Sequence, residues 1–375
     1  MTHFCLVSDQ PVPNLLPVLH DTLKPQKVVL AVSQEMAKKA SWLEKELKYR
    51  QIETEILSIS DAYDLIHLQG AFLDWIDQHS QENIVLNVTG GTKPMAIAAQ
   101  EVFRMAEKPV FYVNIMDDTI AWLSGHRPKE EVTVEIPLKS FFRVHGIELN
   151  ESNTHHRFPE KWLVFSQELG LVRIGAWEPA LRQLNYYAQQ AEKGNRLRLG
   201  KVRSNNVLEW DNLLKSLCNN GLIESEKTLN FTSSEARDFA NGGWIEFLVF
   251  SALKDIAGLK DVSLNAVVSD QTGNKNELDV VFLSQNRMFI VECKTRDMKP
   301  GVETDNGIAG HVIYKLDSLR RVGGLRTSGI LVSYRKVSDH DKRRAGQNKI
   351  TVIDQGDLHR LSESLNTAIR RQVPK

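Results

Sequence analysis

Three charged residues in the C-terminal half combine the side-chain types and the spacing that cleavage of a phosphodiester requires. Asp279 lies thirteen residues before Glu292, and Lys294 follows Glu292 with only Cys293 between them. Alternation along a strand puts Glu292 and Lys294 on one face and Cys293 on the other. Two carboxylates that converge on one point repel each other unless a hard cation lies between them, and Mg²⁺ or Mn²⁺ suits oxygen ligands of this kind.

A metal ion held there would lower the pKa of a bound water and stabilise charge on a scissile phosphate. Lys294 would orient the nucleophile or offset developing negative charge. Glu246, on a neighbouring helix, could add a metal ligand or hold a water. The predicted catalytic residues are Glu246, Asp279, Glu292 and Lys294, and the predicted metal ligands are Asp279, Glu292 and Glu246.

Four segments are expected to position these side chains. "ANGGWIEFLVFSALKDI" has the pattern of a helix that starts after two glycines, with Glu246 early in it. "VSLNAVVSD", "ELDVVFLSQ" and "NRMFIVECKT" are typical of strands, and the turn "SQNR" joins the last two in a hairpin that brings Asp279 beside Glu292. An isolated Glu-x-Lys triplet is more often a surface ion pair, but this hairpin and a basic segment after it favour a catalytic site.

Charge is distributed unevenly along the 375 residues, although the net charge is zero. Residues 1–150 carry 14 Lys and Arg against 20 Asp and Glu, whereas residues 231–375 carry 22 against 18. From Thr295 to Lys349 the basic excess is denser, with 12 basic residues against 6 acidic ones. Such a skew is typical of a protein that binds nucleic acid, and it is also compatible with a plain solvated surface.

The N-terminal part alternates strand and helix patterns. Strands are predicted at "HFCLVSD", "KVVLAVS", "NIVLNVTGGT" and "KPVFYVNI", and helices at "QEMAKKASWLEKELKYR" and "DAYDLIHLQGAFLDWIDQ". This alternation predicts βαβ units in a Rossmann-like domain whose parallel sheet is covered on both faces. No GxGxxG follows the first strand, which argues against a dinucleotide cofactor.

Polar residues follow several of these strands, at the edge where open α/β sheets bind ligands. In "NVTGGTKPM" two glycines permit a tight turn with exposed amides, threonines supply hydroxyls, Lys93 supplies a positive charge, and Pro94 suits the first helical turn. These features predict an anion site at a helix N-terminus. The motif is not a Walker A loop, because its glycines are adjacent, and a plain helix cap remains an alternative for this stretch.

The segment between the two α/β parts predicts a connector. A helix pattern at "EPALRQLNYYAQQAEKGNR" is followed by a second one at "LEWDNLLKSLCNN", a stop at Gly221, a strand pair at "LIES" and "TLNFT", and a helix after Thr232 to Ser234. Helix, turn and wing in this order predict a winged-helix-like connector. Its few arginines favour a spacer over a DNA-binding module.

Composition excludes several classes of protein. The hydrophobic fraction of 42% and the charged fraction of 25% are those of an ordinary globular protein. There is no signal sequence and no apolar run near 18 residues, so we expect no membrane contact and a cytoplasmic location. Cys5, Cys218 and Cys293 lack CxxC spacing, which argues against a disulfide framework or a thiolate zinc site.

The C-terminal motifs carry a family resemblance. "GGWIE", "NELDV" and "VECKT" together resemble the PD-(D/E)xK nuclease superfamily, whose catalytic positions fall on Glu246, Asp279, Glu292 and Lys294. "IYKLDSLRRVGG" resembles the next helix of that family, where Lys315 falls at a position that sometimes assists. Leu278 replaces the usual proline before the aspartate, which does not remove a ligand, and Glu277 could add a carboxylate.

The N-terminal half resembles the CRISPR-associated Rossmann fold (CARF), in which the segment at "TGGTK" binds a cyclic oligoadenylate across a dimer. The combination resembles CRISPR ancillary nucleases that cyclic tetra-adenylate activates. This resemblance implies a homodimer whose two sensor domains share one ring-shaped ligand, with Mn²⁺ or Mg²⁺ as cofactor and nucleic acid as substrate. The effector contacts that it implies are Ser8, Gln10, Ser33, Thr89, Gly90, Gly91, Thr92 and Lys93.

Motifs and resemblance together predict an α/β protein of three domains. They are a Rossmann-like CARF sensor with a parallel sheet at residues 1–150, a winged-helix-like connector at 151–235, and a PD-(D/E)xK, restriction-endonuclease-like domain at 236–375. The expected function is that of a metal-dependent endonuclease in type III CRISPR antiviral defence, activated allosterically by a cyclic oligoadenylate that favours one orientation of the paired protomers. Whether it cuts single-stranded DNA, nicked or supercoiled DNA, or RNA is left open.

Two alternatives from other classes remain at this stage. The chain could be a cyclic-oligonucleotide-responsive transcription regulator whose connector binds DNA and whose nuclease core is inactive, although the intact set of Asp279, Glu292 and Lys294 argues against this. It could also be a nuclease without second-messenger control, in which the N-terminal half serves only to dimerise.

Overall fold

The computed structural model shows two mixed α/β halves joined by a mainly helical segment. Not one of the helices it describes is long and apolar enough to cross a membrane. The residues that the structure describes are 1–125, 127–153, 159–172, 175–204, 207–295 and 308–373.

The N-terminal sheet has seven strands, with helices packed on both faces. Its strands are β1 (Thr2–Leu6), β2 (Lys27–Ser33), β3 (Glu53–Ile59), β4 (Ile84–Asn87), β5 (Val110–Asn114), β6 (Thr119–Trp122) and β7 (Glu130–Glu131). Its helices are α1 (Val12–Leu19), α2 (Ala37–Tyr49), α3 (Leu65–Gln78) and α4 (Lys93–Met105). The spatial order is β3-β2-β1-β4-β5-β6-β7, and the first five of these run parallel.

The predicted Rossmann-like parallel sheet is therefore confirmed. The four predicted strands are β1, β2, β4 and β5, and the predicted helices are α2, α3 and, after the glycine pair, α4. Helix α1 and strands β3, β6 and β7 were not predicted. Strand β3 lies at the edge of the sheet, where Glu53 is exposed and Glu55 is half-buried, so its apolar signal is diluted by charge.

The middle of the chain contains the predicted helix-and-hairpin order. Its elements are α5 (Leu138–Val144), β8 (Glu148–Asn153), α6 (Glu160–Gln167), α7 (Glu178–Lys193), α8 (Val207–Asn219), β9 (Ile223–Ser225), β10 (Thr228–Phe231) and α9 (Ser234–Asp238). Strands β9 and β10 form an antiparallel pair after Gly221. Strand β8, which was not predicted, crosses residue 150 and joins the C-terminal sheet, while the two predicted domain boundaries stay predictions.

The C-terminal sheet has six strands in the order β15-β14-β13-β12-β11-β8. The elements of this half are α10 (Trp244–Lys254), β11 (Lys260–Ser269), β12 (Lys275–Ser284), β13 (Arg287–Lys294), α11 (Ile308–Val322), β14 (Thr327–Ser333), α12 (Asp339–Gln347), β15 (Ile350–Ile353) and α13 (Leu361–Gln372). Strands β11, β12 and β13 form an antiparallel meander, whereas β13, β14 and β15 run parallel. The predicted α10, β11, β12, β13 and α11 are present, and β14, α12, β15 and α13 are additional.

A buried polar joint connects the two sheets. Arg326, at the start of β14, is 3% exposed and donates to the carboxylate of Asp118 and to the carbonyl of Ile115 at 3.1 Å. Asn286, in the β12–β13 turn, donates to the other oxygen of Asp118 at 3.1 Å, and Arg287 donates to the Ile115 carbonyl at 3.1 Å. The β5–β6 turn is thus held by the amino ends of β13 and β14.

We expect Asp118→Asn to destabilise the protein by about 2 kcal/mol, because Arg326 loses a charged hydrogen-bond acceptor in a buried place. Asparagine tolerates the positive φ of 49° at this position, so backbone strain does not enter. The free energy of unfolding in urea measures the effect. Asp117→Asn is the matched control: Asp117 pairs with Lys129 on the surface, and its loss should cost less than about 1 kcal/mol. Equal losses of stability in the two variants would contradict the view that the joint around Asp118 stabilises the fold.

Candidate active site and effector site

The β12–β13 hairpin brings the two predicted core carboxylates together. Val280 pairs with Val291, so Asp279 and Glu292 stand opposite each other on neighbouring strands. The two-residue turn that fixes this register has positive φ values at Gln285 (45°) and Asn286 (55°), the conformation that matches the twist of a hairpin.

Glu292 is a buried carboxylate held by two lysines. Its side chain is 1% exposed, and its Oε1 lies 2.7 Å from Lys294 Nζ and 2.9 Å from Lys315 Nζ. Lys315 also reaches Oε2 at 3.2 Å. A buried carboxylate without partners is costly inside a protein, and these two ammonium groups supply its partners.

The ammonium group of Lys294 lies among three oxygens that suit a cation. It is 2.7 Å from Glu292 Oε1, 2.9 Å from the carbonyl oxygen of Cys293 and 3.6 Å from Asp279 Oδ2. Two carboxylates and one carbonyl are the donor types that Mg²⁺ and Mn²⁺ prefer. The chemistry of these donors therefore fits a divalent cation held by Asp279 and Glu292.

Glu246 lies on α10 and lines a cleft of about 570 Å³ beside the hairpin. Glu277, Cys293, Lys294 and Thr295 line the same cleft. Across the described parts of the chain, no three His, Cys, Asp or Glu side chains form a group that could hold a metal ion. The role of Glu246 as a metal ligand therefore stays a prediction.

The electrostatics of the site reflect crowded carboxylates. Burial and the charge of Glu292 raise the pKa of Asp279 to about 6. Burial and the charge of Asp279 raise the pKa of Glu246 well above its usual range. Burial alone would lower the pKa of Lys294, but the charges of Asp279 and Glu292 outweigh it and raise that pKa. Bringing a cation to these oxygens would relieve the repulsion that the carboxylates share.

Cys293 is not a nucleophile in this site. Its side chain is 4% exposed and packs in the hydrophobic core on the opposite face of β13, as the strand alternation predicts. Burial raises the pKa of its thiol well above the usual range, which keeps it protonated.

Helix α11 completes the site from the other face of the sheet. Ile313 and Leu316 are fully buried, and Leu316 lies close above Gly329 of β14, where an added Cβ would be 3.0 Å from the Leu316 Cγ. This packing directs Lys315 to Glu292. The family resemblance pointed to Lys315, but no local pattern in the sequence connects it with a residue 23 positions earlier.

The basic segment predicted to contact nucleic acid lies partly next to this helix. Tyr314 is half exposed, and the Arg344 guanidinium of α12 lies 4.4 Å from the centre of its ring. Arg343 and Lys349 are exposed. The Thr295–Lys349 segment includes residues 296–307, which are outside the described part of the chain.

The predicted anion site lies at the topological switch point of the N-terminal sheet. Strand β1 is flanked by β2 on one side and β4 on the other, and ligands bind open α/β sheets at such a point. Ser8 follows β1, Ser33 ends β2, and the glycine pair Gly90–Gly91 follows β4. The structure thus brings these predicted residues to one edge of the sheet.

The two glycines of this loop are needed for its shape. A Cβ on Gly90 would lie 2.0 Å from the carbonyl oxygen of Leu6 and 3.4 Å from Ser8 Oγ, and Gly91 has a φ of 72°. The loop therefore crosses directly over the end of β1, and no larger residue fits at Gly90.

The two threonines of the loop make hydrogen bonds within the protein. Thr89 Oγ1 donates to Asn87 at 2.7 Å and accepts from the Val113 amide at 2.7 Å. Thr92 Oγ1 donates to the Ala62 carbonyl at 2.6 Å and caps α4 by accepting from the Met95 amide at 3.3 Å. Both hydroxyls thus hold the loop in place, as in the helix-cap alternative.

The remaining predicted effector residues differ in where they point. Lys93 is exposed at the first turn of α4, where a cation can reach an anion at the helix N-terminus. Gln10 contacts the C-terminal half, where its side-chain oxygen accepts a hydrogen bond from the Leu325 amide at 3.3 Å. The sequence gives no sign of this contact between the two halves.

Two family models match the chain. Residues 2–141 match the model described as the Card1 CARF domain, and residues 233–372 match the model described as the Card1-like endonuclease domain. No curated protein sequence matches the chain.

Solved structures are similar over the full length. Protein VC1899 from Vibrio cholerae has 25% sequence identity and a TM-score of 0.88, over 100% of this chain and 99% of that one. Can2 from Sulfobacillus thermosulfidooxidans, in complex with cyclic tetra-adenylate, has 28% identity and a TM-score of 0.81, over 98% of this chain and 99% of that one.

A third structure shares the fold. It is a type III CRISPR defence DNA nuclease activated by cyclic oligoadenylate, with 18% identity and a TM-score of 0.58, over 90% of this chain and 46% of that one. The hairpin with Asp279 and Glu292 falls inside the endonuclease match, and the glycine loop falls inside the CARF match. The chain therefore belongs to the Card1-type nucleases that combine a CARF domain with an endonuclease domain.

Proposed function

We propose that this protein is a metal-dependent endonuclease of type III CRISPR defence whose cleavage is switched on by cyclic tetra-adenylate. The observation that carries the proposal is the buried Glu292, which lies opposite Asp279 and is contacted by Lys294 and Lys315. An arrangement of two carboxylates and two ammonium groups at the end of a sheet suits phosphodiester hydrolysis. The glycine loop at the switch point of the other sheet supports a sensor for an anionic ligand.

Each residue of the cleavage site has a chemical task in this proposal. Asp279 and Glu292 hold the metal, which when bound supplies an activated water and offsets the charge of the scissile phosphate. Lys294 would orient the attacking water or contact the phosphate, and Lys315 holds the Glu292 carboxylate in place through both of its oxygens. Glu246 faces the same cleft and accepts a proton or holds a water.

The substrate approaches on the side of α11 and α12. Arg344 and Tyr314 form an exposed cation and aromatic pair there, and Arg343 and Lys349 add positive charge. Phosphates attract such a surface without regard to sequence, and an exposed ring can stack on an unpaired base. These features support nucleic acid as the substrate and favour a strand with unpaired bases.

The effector site is proposed at the carboxyl ends of the N-terminal strands, beside Ser8, Ser33 and Gly90–Gly91. Two such sites in a homodimer would enclose one cyclic tetra-adenylate. Main-chain amides of the glycine loop and Lys93 face the phosphates. The hydroxyls of Thr89 and Thr92 shape the loop, because both already serve hydrogen bonds within the protein. A ring that contacts both protomers activates by favouring one relative orientation of them.

Cleavage of labelled single-stranded and supercoiled DNA in Mn²⁺, with and without cyclic tetra-adenylate, tests the function. We expect cleavage that rises with the effector in the wild-type protein.

Lys294→Ala should reduce the rate of cleavage at least about 100-fold, because it removes a group that stabilises charge in the transition state. Effector binding, measured by calorimetry, should be unchanged. Lys254→Ala is the control, because Lys254 lies at the far end of α10 over the ring of Phe250. Full cleavage by Lys294→Ala would refute the assigned site, and effector-independent cleavage by the wild type would favour the uncontrolled nuclease.

Lys93→Ala should weaken binding of cyclic tetra-adenylate about tenfold or more, since it removes a charged contact to phosphate. At saturating effector the variant should still cut. Lys24→Ala is the matched control, because Lys24 is exposed before β2, at the opposite edge of the sheet. Unchanged affinity in Lys93→Ala would place the effector elsewhere.

A further inference from the structure

A cavity of about 350 Å³ lies between the two halves of the chain. Its walls include Gln10, Lys39 and His145 from the N-terminal half and Gly324 and Leu325 from the C-terminal half. The two halves therefore leave open space between them at this place, in contrast to the joint around Asp118. Open space next to a ligand loop is a place where a small displacement can be passed on.

Gln10 makes the hydrogen bond that crosses this boundary. The side-chain Oε1 of Gln10 accepts a hydrogen bond from the backbone amide of Leu325 at 3.3 Å. The backbone amide of Gln10 donates to Ser8 Oγ, also at 3.3 Å. Ser8 Oγ in turn lies next to Gly90, where a Cβ would be 3.4 Å away. The chain of contacts from the glycine loop to Leu325 thus has only Ser8 and Gln10 between its ends.

Gly324 allows the close approach on the other side. It has a φ of 72°, and a Cβ there would lie 3.2 Å from Gln10 Oε1 and 3.3 Å from His145 Nε2. Glycine adopts this conformation without strain and leaves room for the side-chain carboxamide of Gln10. The turn at Gly324 is therefore shaped to receive that side chain.

The residue after Leu325 limits where a displacement can go. Arg326 is buried and bound to Asp118 and to the Ile115 carbonyl, so the start of β14 is fixed to the N-terminal half. A shift of Gln10 can consequently act on the residues before Arg326. Those residues are the Gly324 turn and, ahead of it, helix α11.

Helix α11 extends from this turn to the proposed cleavage site. Lys315 lies two to three turns before the Gly324 turn, and its Nζ contacts both oxygens of the buried Glu292 carboxylate. A rotation or shift of α11 changes this contact and, with it, the oxygens that Glu292 offers to Lys294 and to a metal. Small helix shifts are an established way in which switching proteins alter a distant site.

We propose that Gln10 is a positioning residue, which passes effector binding from Ser8 and the glycine loop through the Leu325 amide and α11 to Glu292. This inference rests on the proposed function, because it names the regulation of that site. It differs from the role that the family resemblance implied, a direct contact of Gln10 with the effector. The side-chain oxygen of Gln10 is engaged by the nuclease half, so its loss should affect activation more than binding.

A proline at position 325 tests the contact at one atom. Leu325→Pro removes the amide hydrogen that Gln10 accepts, and proline suits the early position of this residue in its short 3₁₀ turn. Leu325→Ala is the matched control, because it trims the exposed side chain and keeps the amide. The measurement is the ratio of cleavage rates with and without saturating cyclic tetra-adenylate, together with kcat, KM and the effector Kd.

We expect Leu325→Pro to bind the effector, but its ratio of cleavage rates with and without effector should fall at least about fivefold, because kcat with effector falls. Leu325→Ala should behave as the wild type. Equal ratios in Leu325→Pro and Leu325→Ala would overturn the proposal while leaving the proposed function standing. A wild-type protein that the effector does not stimulate would overturn both.

Gln10→Leu decides the question if Leu325→Pro does not fold. This variant keeps a side chain of similar bulk, although one atom shorter, and removes the acceptor. The proposal predicts the same loss of the rate ratio with an effector Kd within about threefold of the wild type, a change well below 1 kcal/mol. A Kd weakened tenfold or more would show that Gln10 is an effector contact and would overturn the proposal.

Discussion

The buried carboxylate of Glu292 is the interaction on which the rest of the site depends. Strand β13 carries it into a place where it is 1% exposed, so its charge must be balanced by groups that come from elsewhere. Lys294 supplies one ammonium group from the same strand, and Lys315 supplies the other from α11. The state of the cleavage site is thereby tied to the position of a helix that also ends beside the N-terminal half.

In the proposed function, this arrangement would let one chain separate sensing from cleavage and still connect them. The amino ends of β13 and β14 are fixed to the β5–β6 turn by Arg287, Arg326 and Asp118. The carboxyl end of β13 carries Glu292 and Lys294. Helix α11 contacts the proposed cleavage site through Lys315, and it ends just before the turn that meets Gln10. The joint around Asp118 would keep the two sheets in register, while the open space at Gln10 and Gly324 would leave room for α11 to move.

Local chemistry made the geometry of the hairpin that carries the proposed cleavage site predictable. The alternation in "FIVECKT" and the two-residue turn at Gln285 and Asn286 suffice to place Glu292 opposite Asp279, because strand pairing follows from local patterns. The glycines after β4 likewise predicted a loop at the switch point. Strand β3 escaped prediction because an edge strand carries charge, which removes the apolar signal on which strand prediction depends.

The contacts between distant segments were not predictable in the same way. The hydrogen bond between Gln10 and Leu325 joins residues 315 positions apart, and nothing in either local pattern requires the other. The threonines of the glycine loop have the composition of an anion site, yet tertiary packing gives their hydroxyls to Asn87 and Ala62. Composition thus located the loop, while packing determined which of its groups remain for a ligand.

Hydrogen exchange followed by mass spectrometry, on the wild-type protein with and without cyclic tetra-adenylate, tests the central claim most directly. The account predicts that the effector changes amide exchange in the loop at residues 8–10 and in α11, while the β5–β6 turn and the start of β14 exchange as before. A change confined to the effector loops, with α11 unaffected while cleavage is stimulated, would contradict the link between the sensor and Glu292.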